Sequence, residues 1–146
     1  MSALPVAAAP ATTLRHARDA DSDRILLWRN HPAVRRVMFT DHLIQPAEHA
    51  AWWQRVRQSP DHQVLVLTHA GVDCGVVSFT RDSDDGGEGT WLWGFYLHPD
   101  DLGPPPQSLR AWSGMELASL HWAQTELHAS RLNCEVFAFN AAVLAM

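Results

Sequence analysis

The sequence is poor in cysteine, has no surplus of basic charge and contains no long apolar run. Its 146 residues hold two cysteines, Cys74 and Cys134. Both fall in β-rich stretches and read as buried free thiols of a reducing compartment, not as a disulfide. Lys and Arg number 11 against 16 Asp and Glu, a formal charge of −5. That balance argues against a nucleic-acid partner gripped by a basic surface. No apolar stretch approaches the roughly 20 residues of a membrane-spanning helix, so no membrane partner is expected. Residues 1–12 are rich in alanine and proline. They lack the basic start and sustained apolar stretch of a secretory leader, read as a disordered tail, and leave the cytoplasm as the expected location. Nine histidines are present, but none forms a His-x-x-x-His pair, and the cysteines form no Cys-x-x-Cys. The common zinc spacings are missing and no metal is expected. No Ser/His/Asp arrangement or nucleophile elbow is legible either.

What is present describes one domain over residues 13–146. Hydrophobic residues make up 47% and charged residues 18%, proportions of a chain that buries a core. Residues 13–18 read as a first strand. Asp19 or Asp21 can cap a helix running to Asn30. Pro32 suits the first turn of a short helix through Met38, and Pro46 opens another to about residue 58. Residues 63–69 and 74–81 read as a hairpin around a turn at 70–73. Residues 90–98 form an aromatic-rich strand, and 99–107 a loop with three consecutive prolines. Ser108 can cap a long helix to about residue 128. Met115, Ala118 and Trp122 make one apolar row there, with Leu117, Leu120 and Leu127 beside it. Residues 132–139 read as a last strand, and Asn140 begins a final helix. An antiparallel meander followed by a helical crossover to a parallel strand is an α/β plan.

The segment richest in chemistry is Trp28-Arg29-Asn30-His31-Pro32, continuing through Met38 to Ile44, Glu48-His49 and Trp52. A plain core helix does not need so many rings and hydrogen-bonding groups. Together with CGVVSFTR (74–81), WLWGFYLHP (91–99) and LNCEVFAFN (132–140), it resembles the GNAT-type N-acetyltransferases. The likeness is strongest to the branch that acetylates the 4-amino group of a UDP-linked 4-amino-4,6-dideoxy sugar in pseudaminic acid synthesis. The resemblance implies an α/β fold with a mixed central sheet flanked by helices. It also implies acetyl-CoA as co-substrate and a UDP-linked amino sugar as acceptor. Branches that acetylate protein N-termini or small amines share weaker versions of the pattern. A protein N-terminal or small-amine acetyltransferase is therefore one alternative, and a catalytically impaired GNAT-like binding module is another.

Two features depart from that family. Its glycine-rich loop, which cradles the coenzyme A pyrophosphate, is replaced here by Gly103-Pro104-Pro105-Pro106. Three prolines remove three donors, leaving Arg110 and the helix N-terminus to meet the phosphates. The family also continues beyond Asn140 into two more strands. The expectation is an incomplete domain without them, with the acid for the leaving thiolate past Met146 and an open sheet edge that could form a homodimer.

Acetyl transfer to an amine requires a neutral amine, a donor for the tetrahedral oxyanion and departure of a thiolate. Glu135 lies in the apolar run Cys134-Glu135-Val136-Phe137, where burial would raise its pKa and make it a base acting through water. Strand alternation equally lets it face solvent. Ser78 either positions that water or sits on an exposed face. The resemblance places Arg29, Met38, His49, Thr80, Arg81 and Tyr96 on the acceptor side. Arg29, His49 and Arg81 would then converge on a diphosphate. Trp28, Trp52 and Trp53 would join Met38 as a stacking wall or, alternatively, pack as core. The backbone at Leu97 would pair with the pantetheine amide and offer the oxyanion donor, and Asn140 would contact coenzyme A.

Overall fold

The computed structural model describes residues 11–38, 41–82, 89–102 and 106–135. Within them the order is β1 (Thr12–His16), a 3-10 turn (Asp19–Asp21), α1 (Ser22–Arg29), α2 (Pro32–Arg35), α3 (Pro46–Val56), β2 (His62–His69), β3 (Val72–Arg81), β4 (Thr90–Leu97), α4 (Pro99–Leu102), α5 (Gln107–Thr125) and β5 (Arg131–Asn133). The strands form one sheet in chain order. β1 to β4 pair antiparallel, and β5 runs parallel to β4 after the α5 crossover. This is the expected mixed sheet flanked by helices.

The register decides which helices cover which face. Val64, Ser78 and Gly94 lie side by side across β2, β3 and β4; Val66, Val76 and Tyr96 form the next row, and His62, Thr80 and Leu92 the row on the other side. Because side chains alternate along a strand, all three rows share one face. Its apolar part buries against Ile25, Trp28, Val34, Trp53 and Val56 from α1 to α3. The opposite face carries Leu65, Leu67, Val77, Phe79 and Leu97, which pack on Ala111, Met115 and Ala123 of α5.

α5 is rotated from its expected setting. Its buried stripe is Ala111, Met115, Ser119 and Ala123, while Leu117 is 70% and Leu120 47% exposed. Small residues face inward because the helix lies close to the sheet edge. A Cβ at Gly114 would collide with the Thr12 side chain of β1. Gly114 thus serves packing, not a phosphate loop.

Other differences are local. The hairpin turn is two residues, Ala70 and Gly71, both at positive φ (50° and 82°). That is the handedness tight hairpins favour, and it leaves Val72 and Asp73 in the strand. Pro99 opens the short helix α4 where a loop was expected. Pro106, not Ser108, precedes the first turn of α5, which has no side-chain cap and ends at Thr125. β5 stops at Asn133, so Cys134 is exposed while Cys74 is buried. Residues 136–139 of the expected strand, and the helix at Asn140, lie outside the described residues. Among the described residues no helix is long and apolar enough to cross a membrane.

One ionic knot ties β1, α1 and the hairpin together. Arg15 grips Asp21 with two hydrogen bonds of 2.8 and 2.9 Å and reaches Asp73 at 3.1 Å. Arg24 donates to Asp73 at 2.7 Å and to Asp21 at 3.1 Å. Thr68 donates to Asp73 at 2.6 Å. The Arg15 bonds, together with the Arg18 main-chain N–H and against the cost of burial, hold the Asp21 carboxyl down to about 2. An unfolded aspartate titrates at about 4. The depressed value means stability that is present above about pH 4 and lost as pH falls toward 2. Asp21→Asn is expected to cost about 2–3 kcal/mol at neutral pH and to flatten the acid-unfolding curve between those limits. Circular dichroism of both proteins across pH 2–7 checks this, and parallel curves would refute it.

Candidate active site

The site begins where β4 and β5 part. The His98 N–H donates to the Cys74 carbonyl at 2.7 Å, and the Asp82 N–H to the Thr90 carbonyl at 2.9 Å. With the register fixed, antiparallel alternation sends the N–H groups of Leu92, Gly94 and Tyr96 to β3 and those of Phe95 and Leu97 to the other side. Among the described residues β5 pairs with β4 at residues 90–92. Phe95 and Leu97 turn their main-chain donors to the same side of β4, beyond that pairing. An extended amide can bind such an edge as an added strand.

Two cavities meet over this stretch. One, of about 420 Å³, runs from Ala33 and Val34 on α2 past Leu97 and Trp112 to Cys134 and Glu135. The other, of about 580 Å³, opens between α1, α3 and the sheet and is lined by Arg29, Glu48, His49, Trp52, Arg55 and His62. Met38, Ser78, Thr80, Gly94, Phe95 and Tyr96 line both. The floor of the junction is the central row of the register. A Cβ on Gly94 would stand 2.9 Å from the Ser78 Oγ, so the bare glycine keeps the floor open above the hydroxyl.

The residues of the tryptophan-arginine-asparagine segment do separate jobs. Trp28 is core. Arg29 faces the second cavity, where burial lowers its pKa and the nearby Tyr96 and Glu48 pull it back up. A guanidinium keeps its proton even so. Burial drives the Tyr96 phenol well above its ordinary range, with Arg29 opposing, so Tyr96 is a donor at neutral pH. Asn30 fastens the chain ahead of α3: its Oδ1 accepts from the Ile44 N–H at 2.8 Å and its Nδ2 donates to the Ile44 carbonyl at 2.9 Å. His31 Nδ1 accepts the Ala33 N–H at 3.1 Å and caps α2, with Pro32 in the first turn.

Ser78, Thr80, Met38 and Tyr96 stand at the junction. Glu135 lines the first cavity with Ser78 and Leu97. It lies two residues past β5 and is exposed, so the apolar mid-strand surroundings expected for it are not there. The three cations expected to converge do not. His49 is buried, and its Nε2 is engaged by Ser22, 2.8 Å from the carbonyl and 3.0 Å from the hydroxyl. That bond fixes α1 to α3. Arg81 has the opposite strand parity from Thr80. It donates to Asp61 at 2.8 Å, stacks on Trp91 at 4.7 Å and lines neither cavity. Of the stacking wall, Trp52 and Met38 border the second cavity, while Trp28 and Trp53 are core. Trp53 is held there by its Nε1 donating to Asp19 at 2.9 Å. Arg110 is exposed in the first turn of α5, and Asn140 lies outside the described residues.

Arg55 and His62 went unrecognised from sequence, and Glu48 was noted in the chemistry-rich segment without a role of its own. Glu48 and Arg55 are seven positions apart on α3, a helical face-sharing interval. His62 shares strand parity with Val64, so the signal was present once the sheet faces were known. A separate cluster joins His31, His98 and Asp100, whose candidate ligand atoms lie within 4.8 Å of one another. His31 Nδ1 already accepts a main-chain hydrogen bond, which puts the proton of the neutral ring on Nε2. That atom faces the Asp100 carboxylate at 3.5 Å. The cluster therefore reads as a tie between the α2 cap and α4, and a metal would first have to displace that proton.

A mixed sheet parted after its fourth strand, with main-chain donors on one side and a polar pocket on the other, is an acyl-transfer scaffold. The chain belongs to the acetyltransferase (GNAT) domain family, whose profile matches residues 12–146. That family places it among the acetyl-CoA-dependent N-acetyltransferases. It is similar to the spermidine N-acetyltransferase of Vibrio cholerae in complex with CoA and spermine, at 14% identity and a TM-score of 0.77, over 92% of this chain and 76% of that one. It is also similar to the N-acetyltransferase PseH of Campylobacter jejuni, at 15% identity and a TM-score of 0.64, over 93% and 83%. A third similar structure is yncA of Salmonella typhimurium with acetyl-CoA, at 26% identity and a TM-score of 0.65, over 92% and 75%. No curated protein matches the sequence.

Gly94→Ala tests the junction. The added methyl must displace the Ser78 hydroxyl, and misplacement at a reacting centre costs roughly 10- to 100-fold in rate. Acetyl transfer should fall by that amount with little change in melting temperature. Unchanged kinetics would mean the reaction does not pass over this row.

Proposed function

We propose that this chain transfers the acetyl group of acetyl-CoA to the 4-amino group of a UDP-linked 4-amino-4,6-dideoxy sugar. The observation that carries the reading is the charge of the second cavity. Arg29 and Arg55 line it against the single carboxylate of Glu48, and Trp52 and Met38 supply apolar faces. Two guanidiniums suit a diphosphate and repel a polyamine. Arg29 is also substantially desolvated, a cost that an anionic acceptor would offset. A small-amine acceptor is the second reading, and Glu48 at the same cavity is what favours it.

In this mechanism the thioester enters through the first cavity, with its pantetheine amide along the free edge of β4. The N–H groups of Phe95 and Leu97 lie on that edge, and one of them meets the oxyanion. The acceptor enters through the second cavity, and its amine reaches the thioester above Gly94. Tyr96 donates to the acceptor. Glu135 receives a proton through a water held by Ser78. The N-terminus of α5, with Arg110 in its first turn, faces the pyrophosphate.

Acetyl transfer to the UDP-linked 4-amino sugar and to spermidine, measured side by side, tests the acceptor. Transfer to the sugar should dominate. Arg29→Ala should raise its KM roughly 10- to 100-fold, as expected for a lost charge-assisted contact, and leave spermidine little affected. A preference for spermidine would overturn the reading. Glu135→Gln should lower kcat by roughly 10²–10⁴-fold, and a near-normal rate across pH would remove Glu135 from the mechanism.

A further inference from the structure

We propose that His62 is the base that takes the first proton from the acceptor ammonium. The inference rests on the acetyltransferase reading and adds a residue to the acceptor side of the reaction. An alkylammonium must become a neutral amine before it can attack, and this has to happen where the acceptor waits. Glu135 lines only the first cavity, across Gly94 from the acceptor. His62 lines the second. It opens β2 directly opposite Thr80 and shares the face of Ser78 and Gly94, with Ser78 diagonal to it at roughly 7–8 Å. An acceptor filling the cavity has its amine between the two.

The imidazole suits this work. Among the described residues no side chain hydrogen-bonds its ring. Burial, helped by the positive Arg55, lowers its pKa from the ordinary histidine value, so it is neutral at pH 7 with a lone pair to give. Five other ionisable groups share its cavity: Arg55, Glu48 and His49 on α3, Arg29 on α1 and Tyr96 on β4. His49 is buried with its Nε2 engaged by Ser22. Glu48 is already within 2.9 Å of His42. Tyr96 is protonated and the arginines cannot accept. His62 also borders a smaller cavity of about 190 Å³ that His16, Arg57, Ser59 and Gln63 line as well. In the proposal the captured proton leaves through this polar cavity, away from the acceptor.

The steps balance. The ammonium N–H bond breaks, its proton goes to a ring nitrogen of His62, and the nitrogen keeps the electron pair. That pair forms the C–N bond to the thioester carbonyl, whose π electrons move to oxygen. Collapse of the adduct breaks the C–S bond. The second nitrogen proton leaves toward Glu135 and its water, and the thiolate recovers a proton from the same side.

The test uses the full chain with His62→Gln and His62→Ala. With the UDP-linked 4-amino sugar, and with benzylamine as an uncharged-scaffold amine, kcat/KM should fall about 100-fold at pH 6.5–7. The deficit should shrink as pH approaches 10, where solvent supplies the neutral amine, and imidazole should partly rescue His62→Ala. A deficit constant across pH, or none, overturns the proposal. If benzylamine is acetylated and the sugar is not, the acceptor reading fails while the benzylamine profile still decides on His62. A second measurement needs no turnover. In the ¹⁵N spectrum of the resting protein, His62 should titrate below an ordinary histidine and shift when benzylamine is added but not when CoA alone is added. Ordinary titration and indifference to the amine overturn the assignment.

Discussion

The rest of the site follows from one constraint on β4. Its alternate N–H groups bond to β3, and the others point toward β5, which among the described residues pairs with it as far as residue 92. Main-chain donors at the centre of a domain require partners. Phe95 and Leu97 hold theirs out to the gap, and an extended amide is the group that matches their spacing. The parting of two strands thus creates a cofactor edge and an oxyanion donor together. It also explains the bare row of Val64, Ser78 and Gly94: two substrates meeting over a sheet need a place where the sheet carries no bulk.

A gap of this kind is stable only if both flanks are held. The ionic knot of Arg15, Asp21, Arg24 and Asp73 anchors the start of α1 to the hairpin. His49 bonds α3 to the first residue of α1, and Asn30 locks the segment leading into α3. These contacts are short and partly buried, so they fix the acceptor wall more than they add net stability. Arg29 stands between the knot and the Asn30 clamp.

Much of this was legible in the sequence, for physical reasons that differ by element. The meander and the crossover were readable because alternation and turn chemistry are local, and the family was readable through the resemblance of its motifs. Ser78, Thr80 and Tyr96 could be placed on one face because they share strand parity across the register, while Met38 came from the resemblance alone. Arg81 was misjudged because adjacent strand residues face opposite ways, and its partner Asp61 is twenty positions away in sequence. His49 was misjudged because a buried histidine bonded to a main-chain carbonyl looks, in sequence, like one waiting for a ligand. The stripe on α5 was misjudged because the helix approaches β1 closely enough to select Gly114 and small residues over leucines. His62 was passed over because its meaning depends on sharing a face with Ser78, a fact of register.

The two sides of the junction also differ in what they demand of the sequence. In the proposed reading the cofactor side uses main-chain groups, which any residue but proline supplies, so many sequences satisfy it. The acceptor side of that reading uses side chains from α1, α3 and β2. Changing Arg29, Arg55 or Glu48 alters what the second cavity admits without disturbing the edge of β4. Acceptor choice is therefore set apart from the chemistry. For this chain the charge of a single cavity wall carries more information about its substrate than the whole of its fold.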